Sequence, residues 1–126
     1  MNENEIGSII LETAIYVHRT LGPGLFESVY ETALHYKLAE KGLAVKKQVP
    51  IPVEFEGIRF DEGFRADIIV EDKVIIELKS IEKVTAVHKK QLLTCLKLSG
   101  LKLGYLINFN EKLLKTGITR IINGKI

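Results

Sequence analysis

A mixed β-sheet flanked by helices, an α/β (α+β) architecture in the order ααβββαββ, is the fold class this 126-residue sequence predicts. Three observations predict it. Two segments with a helical apolar stripe open the chain, an alternating hairpin occupies its centre, and a third helical segment separates that hairpin from two more strands.

The first helix rests on Ile6, Ile9, Ile10, Thr13, Ala14, Val17 and Leu21, which recur at the spacing of a helix packed on one side. The stretch "LGPG" at 21–24 breaks it. A second helix is predicted from about Phe26 to Lys41, with Val29, Tyr30, Ala33, Leu34 and Leu38 inward and Gly42 as its stop. "VKKQVPIPVEF" reads as a strand that Pro50 and Pro52 confine to a sheet edge. Gly57 turns it into "IRF" and the central hairpin. Thr85 can cap a third helix that runs to Ser99 and closes at Gly100. "KLGYLINF" is a further strand, and "GITRIIN" a short last one.

The hairpin, "FRADIIVEDKVIIELKS" at 64–80, carries the chemistry. Side chains on a strand alternate between faces. Ala66, Ile68, Val70, Val74, Ile76 and Leu78 share one parity; Arg65, Asp67, Ile69, Ile75, Glu77 and Lys79 share the other. The parities agree across the turn if Glu71, Asp72 and Lys73 form a three-residue loop. That register sets Asp67 opposite Glu77 on one face, with Lys79 beside them. Two carboxylates at 4 Å repel by about 4 kcal/mol at an effective dielectric of 20, against about 1 kcal/mol in water. One lysine offsets part of this, and a divalent cation offsets more. The plainer reading is a surface strand with an ordinary salt bridge.

Composition bounds the rest. One domain, 1–126, is expected from the length, which is enough to bury a core. The start "MNENEIG" lacks the order of a signal peptide, and no apolar run approaches a membrane span. Cys95 is the only cysteine, so no internal disulfide can form; a cytoplasmic location and no membrane partner are expected. Three scattered histidines and one cysteine do not make a zinc site. The net charge of +2 hides an asymmetry: residues 1–62 hold 6 Lys/Arg against 10 Asp/Glu, residues 63–126 hold 12 against 6. Lys83, Lys89 and Lys90 near the third helix are candidate contacts to a phosphate backbone, or a solvated face.

Two more segments join the hairpin. "GLFESVY" reads G-x-x-E-x-x-Y from Gly24 to Tyr30, and "HKKQLLTCLKLSG" places Gln91 on the third helix. With Asp67 and Glu77-x-Lys79, the chain resembles the GxxExxY protein family of the PD-(D/E)XK nuclease superfamily, over nearly its whole length. The resemblance implies a restriction-endonuclease-like core and a metal-dependent nuclease that hydrolyses phosphodiester bonds in nucleic acid, DNA before RNA. It implies Asp67 and Glu77 as metal-binding carboxylates, Lys79 as the motif lysine, Glu27 as the helix glutamate that completes the acidic cluster, and Gln91 as an orienting glutamine. The backbone carbonyl of Leu78 is a further candidate ligand, and hard oxygen donors select Mg²⁺ or Mn²⁺. Ala66 stands where the superfamily pattern has proline, and Cys95 where related exonuclease-like members have tyrosine. Tyr30 reads as core, and His18 and His88 as structural. The alternative is a catalytically silent nuclease-fold module that binds nucleic acid or a partner. Oligomeric state stays open, a homodimer included.

Overall fold

The computed structural model describes every residue from Met1 to Ile126. Helices α1 (Glu3–Leu21) and α2 (Glu27–Glu40) precede strands β1 (Val45–Phe55), β2 (Ile58–Val70) and β3 (Val74–Lys79). Helix α3 (Ala86–Ser99) leads to β4 (Leu103–Asn108), a 3-10 turn (Leu114–Gly117) and β5 (Ile118–Ile122). The expected order ααβββαββ is found, with the 3-10 turn added. The strands form one sheet in the order β1-β2-β3-β4-β5. Only β3 and β4 run parallel, because α3 carries the chain back across the sheet between them. As its two prolines require, β1 lies on an edge.

Local chemistry sets the helix ends. Asn2 Oδ1 accepts from the Glu5 amide at 2.8 Å, and the Glu5 carboxylate accepts from the Asn2 amide at 2.9 Å, a reciprocal cap on α1. Before α3, the Thr85 amide donates to His88 Nδ1 at 2.9 Å. No helix is long and apolar enough to cross a membrane.

The sheet buries both faces. Against one lie α1 and α2, and their Ile6, Ile10, Tyr30 and Leu34 pack with Ile68, Val70, Ile76 and Leu78. Against the other lies α3, where Leu92, Cys95 and Leu96 meet Ile69, Ile75 and Leu106. A strand covered on both sides reads as a continuous apolar run, which is why β3 and β4 do so.

The hairpin turn has the expected register, Val70↔Val74, Ile69↔Ile75 and Ile68↔Ile76. Glu71 and Asp72 adopt φ of 55° and 51°, and the Lys73 amide closes the turn on the Val70 carbonyl at 3.0 Å. The alternation, however, does not run unbroken through β2. Ala66 packs with Ile69 and Ile75 on the α3 side, whereas Ile68 faces α1 and α2. The parity therefore breaks at Asp67. Its neighbour Gln48 on β1 has a φ of 52°, so both strands are irregular at this level.

Candidate active site

Backbone pairing between β2 and β3 stops at Ile68↔Ile76, one residue short of Asp67 and Glu77. There side chains take over. Glu77 Oε1 accepts from the Asp67 amide at 3.1 Å, and Asp67 Oδ2 accepts from the Leu78 amide at 2.8 Å. Each carboxylate thus satisfies a backbone donor of the opposite strand. Glu77 follows Ile75 to the α3 side, where its charge is felt by Cys95. Asp67 opens instead into a small cavity of about 130 Å³ lined also by Glu27, Ser28, Glu31, Gln48 and Leu78. The expectation that Asp67 and Glu77 share one face is corrected here. The parity break turns Asp67 toward α2, and the two carboxylates meet at the strand fork from different sides.

Electrostatics at the fork are unfavourable to charge. Glu77 is only 9% exposed. Burial first, then the Asp67 charge, push its carboxyl up to about 8, although the Asp67 amide and Lys79 pull it down. Burial also pushes the Cys95 thiol up to about 12, so this side chain is packing material and not a nucleophile. The four ion pairs of the protein are Lys37–Glu40, Lys46–Asp72, Arg59–Asp61 and Arg65–Glu62. None of them neutralises Glu27, Glu31, Asp67 or Glu77. No group of three or more His, Cys, Asp or Glu side chains is already drawn together as a metal cage.

The G-x-x-E-x-x-Y segment acquires a physical meaning. Gly24 has a φ of 93°, open to glycine and strained for other residues. Tyr30 is fully buried and stacked on Phe109 at 4.4 Å. Its hydroxyl donates to the Gly22 carbonyl at 2.6 Å and accepts from the Leu25 amide at 3.1 Å. Ser80 Oγ, just past β3, donates to the Leu25 carbonyl at 2.6 Å. The loop before α2 is therefore tied to the core and to the end of β3, and Glu27 is held beside Asp67. Replacing Tyr30 by phenylalanine removes both hydroxyl bonds and is expected to cost about 1–3 kcal/mol in urea unfolding. An unchanged midpoint would mean that the loop is held by other contacts.

Other singled-out residues fall at varying distance from the fork. Lys79, two residues beyond Glu77, is half-buried and close enough to lower the Glu77 carboxyl. Gln91 lies one turn before Cys95 on α3, yet it is exposed and makes no hydrogen bond to the carboxylates. Lys83, Lys89 and Lys90 are exposed; Lys83 and Lys89 line a cavity with Glu111 and Thr119. His18 and His88 are engaged structurally, with the Glu111 carbonyl and with the start of α3.

Sequence reasoning missed Glu31 and Gln48. Gln48 Nε2 donates to Glu31 Oε1 at 2.5 Å and to Asp67 Oδ1 at 3.4 Å, and so links α2 to the fork. Glu31 was within reach, because it lies four residues after Glu27 on the same helix face. Gln48 carries no such signal.

No curated protein and no solved structure matches the chain. A family model described as the PD-(D/E)XK nuclease superfamily matches residues 4–121. That span includes all of α1 but Glu3, the carboxylate fork, Lys79 and the sheet through most of β5. By this match, over nearly its whole length, the chain belongs to the PD-(D/E)XK nuclease superfamily.

Proposed function

We propose that this protein is a Mg²⁺- or Mn²⁺-dependent nuclease that hydrolyses phosphodiester bonds in DNA, a single-domain cytoplasmic enzyme of the GxxExxY branch. The observation that carries the reading is the carboxylate pair at the fork: Glu77 accepts from the Asp67 amide and Asp67 from the Leu78 amide, with Glu27 and Glu31 nearby and no ion pair to balance them. The donor set fits the group. Carboxylate oxygens and a backbone carbonyl are the ligands that a hard cation selects, and Mg²⁺ keeps several waters when held by few protein oxygens.

Asp67, Glu77, Glu27 and the Leu78 carbonyl would hold the ion. When bound, it supplies a Lewis acid toward the phosphate and a coordinated water of lowered pKa. The chain's own residues supply the remainder. Lys79 brings a positive charge to the phosphate oxygens, where charge builds as the bond breaks. Glu27 reaches the same place from the first turn of α2, just after a loop that Tyr30 and Ser80 immobilise, so its position is set before substrate arrives. Gln91 orients substrate or water from α3. Lys83, Lys89 and Lys90 take up the flanking backbone.

The experiment is incubation with labelled DNA and RNA, in single and double strands, with Mg²⁺, Mn²⁺ or chelator. Metal-dependent cleavage in the wild type, lost in Lys79→Ala while binding survives, supports the proposal. Binding without cleavage under every condition would instead favour the silent module.

The lysines give a separate expectation. Replacing Lys83, Lys89 and Lys90 by alanine should weaken binding and flatten the slope of log affinity against log salt by roughly 2. A fluorescence-anisotropy salt series reads this directly. An unchanged slope would leave those lysines as a solvated face.

A further inference from the structure

A second basic site lies on the other side of the segment that follows β4. A cavity of about 480 Å³ is lined by His18 and Arg19 at the end of α1, by Gly22 and Pro23, and by Lys112 and Lys115. No carboxylate lines it. Glu111, next to Lys112 in the chain, engages its side chain elsewhere: Glu111 Oε2 accepts from Thr116 Oγ1 at 3.4 Å, and Glu111 lines the separate cavity that holds Lys83 and Lys89. Toward His18 it presents only its carbonyl, which accepts from the ring Nε2–H at 2.8 Å. Arg19, Lys112 and Lys115 belong to none of the protein's ion pairs. Arg19, Lys112 and Lys115 are exposed, so solvent screens their mutual repulsion, but the concavity they rim has no internal counter-charge and is open to an anion.

The position of the cavity identifies that anion. Lys79 is paired with Asn108 at the end of β4, and the 112–115 wall starts four residues later. The opposite wall, Gly22–Pro23, is the start of the loop that Tyr30 pins and that ends at Glu27. Cavity and carboxylate fork therefore flank one rigid loop at the same end of the sheet. We infer that this cavity binds a phosphate group of the substrate strand other than the one cleaved, with Arg19, Lys112 and Lys115 as its contacts. The inference rests on the nucleic-acid reading above, and it names how the strand is held.

The test reads binding and cleavage separately. A fluorescein-labelled DNA 20-mer, once with a 5′-phosphate and once with a 5′-hydroxyl, is titrated in chelator over a salt series for binding and incubated with Mn²⁺ for cleavage. The Arg19→Ala/Lys112→Ala/Lys115→Ala protein is expected to bind at least tenfold more weakly at low salt, with a slope flatter by about 2. The control is Lys73→Ala/Lys102→Ala/Lys125→Ala, an equal change in charge at the opposite end of the sheet, expected to stay within twofold of wild type. Lys112→Glu/Lys115→Glu repeats the measurement without touching α1, and is expected to weaken binding further. Equal loss in both alanine triples, no loss in the first, or no binding by the wild type would overturn the inference. A wild type that binds through the cavity but never cleaves would overturn the nuclease reading alone. Cleavage with cavity-independent binding would overturn this inference alone. A 5′-phosphate preference that vanishes with the cavity lysines assigns the phosphate to a strand end; no preference assigns it to the backbone.

Discussion

Asp67→Asn is expected to abolish metal-dependent cleavage, by a factor of at least about 10³, while making the metal-free protein more stable at pH 8.5. At that pH Glu77, with its carboxyl raised to about 8, has largely ionised beside Asp67. Removal of one of two charges relieves a repulsion of about 1–4 kcal/mol, the range between water and an effective dielectric of 20 at 4 Å. Asparagine still offers an oxygen to the Leu78 amide, so the fork keeps that bond. A divalent ion is expected to stabilise the wild type by about 2.7 kcal/mol at a hundredfold excess over its dissociation constant, and the same variant should lose that effect. A salt bridge between Asp67 and Lys79 would predict the reverse, a less stable variant. Thermal melts with chelator and with Mn²⁺ distinguish the two.

Glu77 sets the second expectation, in stability against pH. Its folded carboxyl stands at about 8 and its ordinary value is 4.5. Between those values the unfolded chain has released a proton that the folded chain still holds. Stability of the metal-free protein must therefore fall as pH rises from 4.5 through 8, and level off above. Inside the window the slope from this one group approaches about 1.4 kcal/mol per pH unit. Over the whole window the loss amounts to several kcal/mol, a large share of a typical domain's stability. Glu77→Gln keeps an oxygen for the Asp67 amide and cannot ionise, so its urea midpoint should be nearly flat from pH 5 to 8.5. A wild type as flat as the variant would mean that Glu77 is ionised and compensated throughout.

Much of the fold was legible in the sequence because its determinants are local. The stripe from Ile6 to Leu21, the break at "LGPG" and the prolines of β1 act through residues a few positions apart. The hairpin register followed from parity, since a three-residue loop keeps Ile68, Val70, Val74 and Ile76 on one face and a two-residue turn does not. Parity failed at Asp67 for a reason no pattern carries. Its amide is satisfied by the Glu77 side chain and not by the ladder, so nothing obliges the backbone to continue alternating. Gln48 was invisible for a related reason. A polar residue at φ 52° on an edge strand looks like any solvated position until its partners on α2 and β2 are in place. Arg19 and Lys115 are 96 positions apart, and only the packing of α1 against the segment after β4 makes them neighbours.

The carboxylate fork is expected to bind a divalent cation, and calorimetric titration of Mn²⁺ into the metal-free protein tests that most directly. Wild type should take up one or two ions with a dissociation constant below about 1 mM, the range of modest oxygen-ligand sites. Asp67→Asn should show no saturable heat. A wild type without saturable binding up to several millimolar, or an Asp67→Asn protein that binds like wild type, would contradict it.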